Sequence, residues 1–169
     1  RFSGAKMNKP LPLKIGLDFH GVINDNPVYF SRFTAEAVRR GYEVHIITGG
    51  PSHKVKELLD KWNICYTAVF AILDYYDAQG EVEYFENGEF KVSEKLWDSA
   101  KAEYCQLMGI NMHIDDSTKY IKWFTTPYCH YDEKRKNCET ENMLNIDFKQ
   151  PPEKALNQIE KIVTSLQYY

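Results

Sequence analysis

The 169 residues of this chain carry 21 basic and 24 acidic side chains, a formal charge of −3 and a pI near 6.0, with 43% hydrophobic and 14% aromatic residues. That balance lacks the basic face expected of a nucleic-acid or anionic-membrane binder, and no apolar run approaches the ~18 residues a bilayer-crossing helix needs. The length suits one domain with one substantial core.

Residues 1–6 precede Met7 and are set aside as a leftover tag or disordered segment, leaving residues 7–169 as a single domain. The N-terminal stretch lacks the apolar core of a signal peptide. The four cysteines, Cys65, Cys105, Cys129 and Cys138, form no C-x-x-C pair, which reads as reduced thiols in a cytoplasmic protein. The run "CHYDEKRKNC" (129–138) offers two Cys and a His, but its spacing fits no common zinc pattern and its charges read as a solvated loop.

In chain order, "LPLKIGLDF" (11–19) is a short apolar strand ending on Asp18. "NPVYFSRFTAEAVRRGY" (26–42) has helical apolar spacing through Phe30, Phe33, Ala37 and Val38, stopped by Gly41. "EVHIITGG" (43–50) is a second strand, closing on a Thr-Gly-Gly turn. Residues 52–64 form a second helix with Ser52 as N-cap, and "YTAVFAIL" (66–73) a third strand. Asn87-Gly88 predicts a hairpin over 81–92. A helix spans 93–109, opening on Ser93 and closing on Gly109. "INMHIDDS" (110–117) is a fourth strand ending in two acids. A short helix at 118–124, a weak fifth strand at 128–131 and a closing helix at 151–167 complete the pattern, with 132–150 polar and irregular.

Strands alternating with helices predict a Rossmann-like three-layer α/β sandwich, with a mostly parallel central sheet and one hairpin insertion. Ligands bind beyond the carboxyl ends of such strands. Asp18, Thr48 and Asp115–Asp116 all fall there and are expected to share one mouth. A carboxylate can attack a phosphoryl group, neighbouring acids can hold Mg²⁺ through oxygen, a Thr hydroxyl and Gly-rich backbone can bind phosphate, and a Lys can offset developing charge.

The ordered set "GLDFHGVI" (16–23), "IITGG" (46–50), a Lys near "SEKLWDSAK" (93–101) and "MHIDDS" (112–117) resembles the haloacid dehalogenase (HAD) superfamily of phosphohydrolases, over roughly residues 13–130. The resemblance implies a Mg²⁺-dependent phosphomonoester hydrolase working through an aspartyl-phosphate. Asp18 would be nucleophile and metal ligand, and the His20 carbonyl a second ligand. Thr48 and the Gly49 backbone would bind phosphate, and Asp115 and Asp116 would complete the metal site. Lys95 suits the family lysine because it opens its helix near the mouth; Lys101, six residues on, is the alternative. The departure is His20, which stands where the family's phosphatases normally carry a second Asp. An imidazole near its ordinary pKa of ~6.5 can serve the same acid/base role, or His20 marks a catalytically impaired phosphate- or nucleotide-binding regulatory module.

The gaps between motifs leave no room for a full cap, so the resemblance is to a capless or minimally capped member with the hairpin as lid. A nucleotide, another phosphorylated small molecule or a phosphoprotein is the expected partner. Structural roles are expected for His45 and His113 inside strands and for His53 at a helix start. Tyr75, Tyr76, Tyr84 and Phe85 form an aromatic cluster around the hairpin. A receiver-like domain, which also combines acids, a Thr and a Lys, carries its acid pair early and its Lys late, the reverse of the order here.

Overall fold

The computed structural model describes residues 12–141 and 144–166. Residues 1–6, Leu11 at the start of the first expected strand and Gln167 at the end of the last expected helix lie outside them. The elements run β1 (Lys14–Leu17), a 3-10 turn (Ile23–Asp25), α1 (Pro27–Arg39), β2 (Glu43–Thr48), α2 (Ser52–Lys61), β3 (Ala68–Ala71), α3 (Ile72–Ala78), β4 (Glu83–Tyr84), β5 (Phe90–Lys91) and α4 (Glu94–Met108). They continue with β6 (Met112–Asp115), a 3-10 turn (Ile121–Trp123), β7 (Tyr128–Asp132), β8 (Asn137–Thr140), β9 (Asn145–Asp147) and α5 (Pro152–Leu166). Among the described residues no helix is long and apolar enough to cross a membrane.

Seven strands make one sheet in the order β3-β2-β1-β6-β7-β8-β9, while β4 and β5 pair apart from it. From β3 to β7 every neighbour is parallel, and β7, β8 and β9 are antiparallel. The fold is therefore α/β with a mostly parallel sheet. The central strands are buried along nearly their whole length, which explains why they read as continuous apolar runs rather than alternating ones.

Alternate residues divide the packing between the two faces. Val44 and Ile46 of β2 join a large core with Phe30, Phe33 and Ala37 of α1, Val55 and Leu59 of α2, and Ala155, Leu156 and Ile159 of α5. Ile47, one residue on, packs instead with Cys105 of α4. In register with one another, Gly16 of β1, His45 of β2 and His113 of β6 lie along the same row of the sheet. A Cβ on Gly16 would stand 2.8 Å from His113 Nδ1, so the glycine makes room for the imidazole.

Local chemistry accounts for most element ends. Asn26 Oδ1 accepts from the Tyr29 N–H and Pro27 opens α1, as N-terminal capping favours. Gly109 closes α4 in the left-handed conformation at φ 70°. Four expectations need correction. The expected strand 66–73 stops at Ala71, because Ile72, Leu73 and Tyr76 bury on one side of the short helix α3; an apolar run alone does not separate strand from helix. Pro51, not Ser52, is the N-cap of α2. The short helix expected at 118–124 is one 3-10 turn. Residues 132–150 contain β8 and β9, where among the described residues Cys138, Ile146 and Phe148 face the core between polar neighbours, too few apolar positions to register as strands.

Candidate functional site

The strand order reverses direction between β1 and β6, and the crevice beyond such a reversal is where open α/β sheets bind ligands. Asp18 follows β1 directly, and its backbone N–H donates to the Ile114 carbonyl (2.9 Å) of β6. Asp115 ends β6. Asp18 stands two residues beyond Gly16, and Asp115 two beyond His113, so both carboxylates fall on the sheet face that α4 covers. Asp116, one residue further, is exposed at the rim. Oxygens of Asp18, Asp115 and Asp116 lie within 4.8 Å of one another.

The lysine that reaches them is Lys101. Its buried Nζ donates to Asp18 Oδ1 (3.0 Å) and Asp115 Oδ2 (2.8 Å). Lys95 is exposed and takes no part in these ion pairs, which corrects the order of preference read from the sequence. Helical geometry supplies the reason: six residues at ~100° each turn Lys95 about 120° away from Lys101, whereas Trp97 lies four residues before Lys101 on nearly the same face. The spacing from Trp97 to Lys101 was the signal that favoured Lys101.

His113, read as a core histidine, is fully buried, and its Nε2 lies 2.9 Å from Asp115 Oδ2. Burial lowers its pKa against the opposing pull of Asp115, so the neutral ring donates from Nε2, and its buried Nδ1 has no partner among the described residues. The ring stacks on Phe124 at a 5.2 Å centroid distance. The i, i+2 spacing of His113 and Asp115 within one strand was the available signal for this contact. His45 is structural as expected, held between Tyr104 Oη (2.7 Å) and Glu43 (2.8 Å).

Burial raises the pKa of Asp18, with Lys101 opposing and Asp115 and Asp116 adding to the rise. Burial also acts to raise Asp115, but His113 and Lys101 overcome it and hold this carboxyl below its usual range. The two acids share one lysine and each accepts one backbone N–H, from Phe19 (2.9 Å) and Ser117 (3.0 Å) respectively; they differ because Asp115 has the His113 imidazole besides. Burial alone would lower the Lys101 ammonium, yet the two carboxylates hold it above its ordinary value.

The loops around the acids are fixed by backbone contacts. Gly21 has φ +86°, and a Cβ there would lie 2.1 Å from Asp116 Oδ2, so only glycine fits. Asn24 Oδ1 accepts from the Gly21 N–H (2.6 Å). His130 Nε2 lies 2.9 Å from the Asp116 carbonyl, and Tyr128 Oη donates to the Ser117 carbonyl. His20 is exposed and lines the cleft. Gly49 and Gly50 also line it, whereas Thr48 is fully buried, shares the row of Val44 and Ile46, and has its hydroxyl 3.4 Å from the Gly50 N–H. Thr48 thus shapes the Gly-Gly turn from behind rather than lining the opening.

The whole forms a cleft of about 410 Å³, within the small-ligand range. Its aromatic lining is Phe90, Trp97 and Tyr120; Tyr75, Tyr76, Tyr84 and Phe85, the aromatic cluster read around the hairpin, are not part of it. Tyr76 is buried with its hydroxyl on the Leu96 carbonyl, and Tyr84 bonds Asp77. His53 is exposed away from the cleft.

The donor set fits a hard divalent cation. Three carboxylates against one ammonium and a neutral imidazole leave two negative charges uncompensated, and all the donors are oxygen. Cys129 and Cys138, whose spacing argued against a zinc site, are buried in the apolar core. No protein-family model, no curated protein and no solved structure matches this chain.

Proposed function

We propose that the chain is a Mg²⁺-dependent phosphomonoester hydrolase of the HAD type, with the three-layer Rossmann-like sandwich of that superfamily and the β4–β5 hairpin as a minimal lid. The observation that carries this reading is the Lys101 ammonium held between Asp18 and Asp115 beside Asp116 at the sheet's reversal point. An acid with its own lysine, at the place where the fold receives ligands, resembles a nucleophile more than a turn cap.

Asp18, Asp115, Asp116 and the His20 carbonyl would hold the magnesium ion, which when bound would neutralise phosphoryl oxygens against the acidic floor. Asp18 keeps one oxygen on Lys101 and the Phe19 N–H (2.9 Å) and attacks phosphorus with the other. The Asp18–phosphorus bond forms as the ester bond breaks, and His20, exposed at the mouth, gives its proton to the departing oxygen. Water then attacks the aspartyl-phosphate, His20 takes the water's proton, and Asp18 returns as carboxylate with inorganic phosphate released. The Gly49–Gly50 turn receives phosphoryl oxygens, with Thr48 bracing it. His113 holds Asp115 in orientation.

Hydrolysis of p-nitrophenyl phosphate, with Mg²⁺ and with EDTA, tests the reading in the wild type and in Asp18→Asn. Turnover that needs the metal and disappears in a folded Asp18→Asn supports it. Turnover retained by that variant overturns the nucleophile, and Mg²⁺-dependent phosphate binding without turnover in the wild type establishes the binding-module alternative instead.

A further inference from the structure

Above the acidic floor the cleft is walled by rings from three separate elements. Trp97, one turn ahead of Lys101 on α4, lies against the Gly-Gly turn, where a Cβ on Gly49 would stand 3.0 Å from its indole. Phe90 of β5 packs on Trp97, with centroids 5.7 Å apart and planes 37° apart, yet stays 41% exposed. The aromatic surface therefore climbs from the phosphate side of the cleft to its rim. Tyr120 adds a ring on the loop after β6, with Lys101 Nζ 5.0 Å from its centroid. A half-exposed Phe on a hairpin with two-residue strands adds little to any core, and a planar ligand is what such a surface accepts.

One further observation narrows the ligand. Lys101 is the sole lysine or arginine among the described residues lining the cleft, which suits one phosphoryl group rather than a polyphosphate or polynucleotide. An aryl phosphate carries its ring directly on the ester oxygen, whereas a nucleoside monophosphate sets its base one sugar further from the phosphate, the reach that a wall extending from Trp97 to the rim residue Phe90 would use.

We infer that Trp97 and Phe90 bind the base of a nucleoside 5′-monophosphate whose phosphate sits on the acidic floor. This rests on the phosphohydrolase reading and names its substrate class. Specificity comes from base–aromatic stacking, which tolerates any base because every base offers a π-face.

The test compares kcat/KM for AMP, ribose 5-phosphate and phosphotyrosine in the wild type, Trp97→Ala and Phe90→Ala. The wild type is expected to favour AMP over ribose 5-phosphate by about tenfold or more, and each variant to cut that ratio severalfold, in keeping with the cost of losing one stacked ring. Phe90→Ala, at an exposed position, keeps the test decisive if Trp97→Ala fails to fold. Equal rates for AMP and ribose 5-phosphate, a ratio untouched by Phe90→Ala, or a preference for phosphotyrosine overturns the inference while leaving the hydrolase reading standing. If no phosphomonoester turns over, the hydrolase reading fails. Calorimetric binding of AMP against ribose 5-phosphate to the same proteins then decides the wall: tighter AMP binding weakened by Phe90→Ala supports it, and equal binding refutes it.

Discussion

Two charged clusters in this chain use similar contacts in opposite settings. On α1, Arg39 grips both Glu36 oxygens (2.7 and 2.6 Å) and Arg40 adds a third bond at 2.9 Å, while also reaching Asn157 and the Glu153 carbonyl of α5. The Arg39 side chain is 72% exposed while Arg40 and Glu36 are 16% and 11% exposed, so water shares the charge from the Arg39 side and the cluster mainly ties two helices together. At the head of the sheet, Lys101 meets Asp18 and Asp115 with all three side chains at least nine-tenths buried. Burying such a group costs more than an apolar replacement of the same shape. The partly exposed cluster is explained by stability and the buried one is not, which is why the buried one is the candidate site.

Breaking the buried cluster should have the largest effect. Lys101→Met leaves two carboxylates facing each other without a cation, and about 3–5 kcal/mol of stability should be lost together with turnover, read by urea unfolding and phosphatase assay. A stability equal to wild type would erase the distinction between the two clusters. His113→Phe keeps the stack on Phe124 but removes the donor to Asp115. Turnover should fall about tenfold, as losing an orienting partner commonly does, with a smaller change in Tm; unchanged turnover would make His113 purely structural.

The exposed cluster should respond less and in a pH-dependent way. The Arg39 and Arg40 bonds lower the Glu36 carboxyl from its usual 4.5 to about 2. A depressed folded-state pKa means that the stabilisation is full above about pH 4.5 and is lost as the pH falls toward about 2. Glu36→Gln should therefore cost about 1 kcal/mol or less at pH 7, and the gap between variant and wild-type melting curves should close as the pH falls from about 4.5 to about 2. A gap that widens on acidification would contradict the assignment. Smallest of all, Lys95→Ala should leave both turnover and Tm unchanged within error, and a tenfold loss of turnover would return Lys95 to the site.

Much of this was legible in the sequence because strands that end on acids announce themselves. Asp18, Asp115 and Asp116 converge through topology alone, given the parallel order and the ligand-binding rule for its strand ends. The lysine was misjudged because proximity along the chain was weighed above rotation around the helix; one more step of helical arithmetic separates Lys95 from Lys101. Thr48 shows a different limit, since strand parity turns its side chain toward the α1 face while its glycine neighbours face the opening. Strands β8 and β9 were missed because an edge meander buries only a few residues, and the aromatic wall was missed because Phe90, Trp97 and Tyr120 come from unconnected segments.

Helix α4 carries both Lys101 at the floor of the cleft and Trp97 on its wall, four residues apart. The two Cα atoms are thus about one helical turn apart along the axis, about 6 Å at 1.5 Å per residue, and loop length has no influence on that spacing. In the proposed reading the helix would work as a fixed ruler between the reacting end of a ligand and its recognised end. A change of ligand is open to substitution at position 97 or to exchange of the hairpin that presents Phe90, each leaving the floor in place. An insertion inside the helix between the two residues would rotate ring and ammonium onto different faces and dismantle both at once.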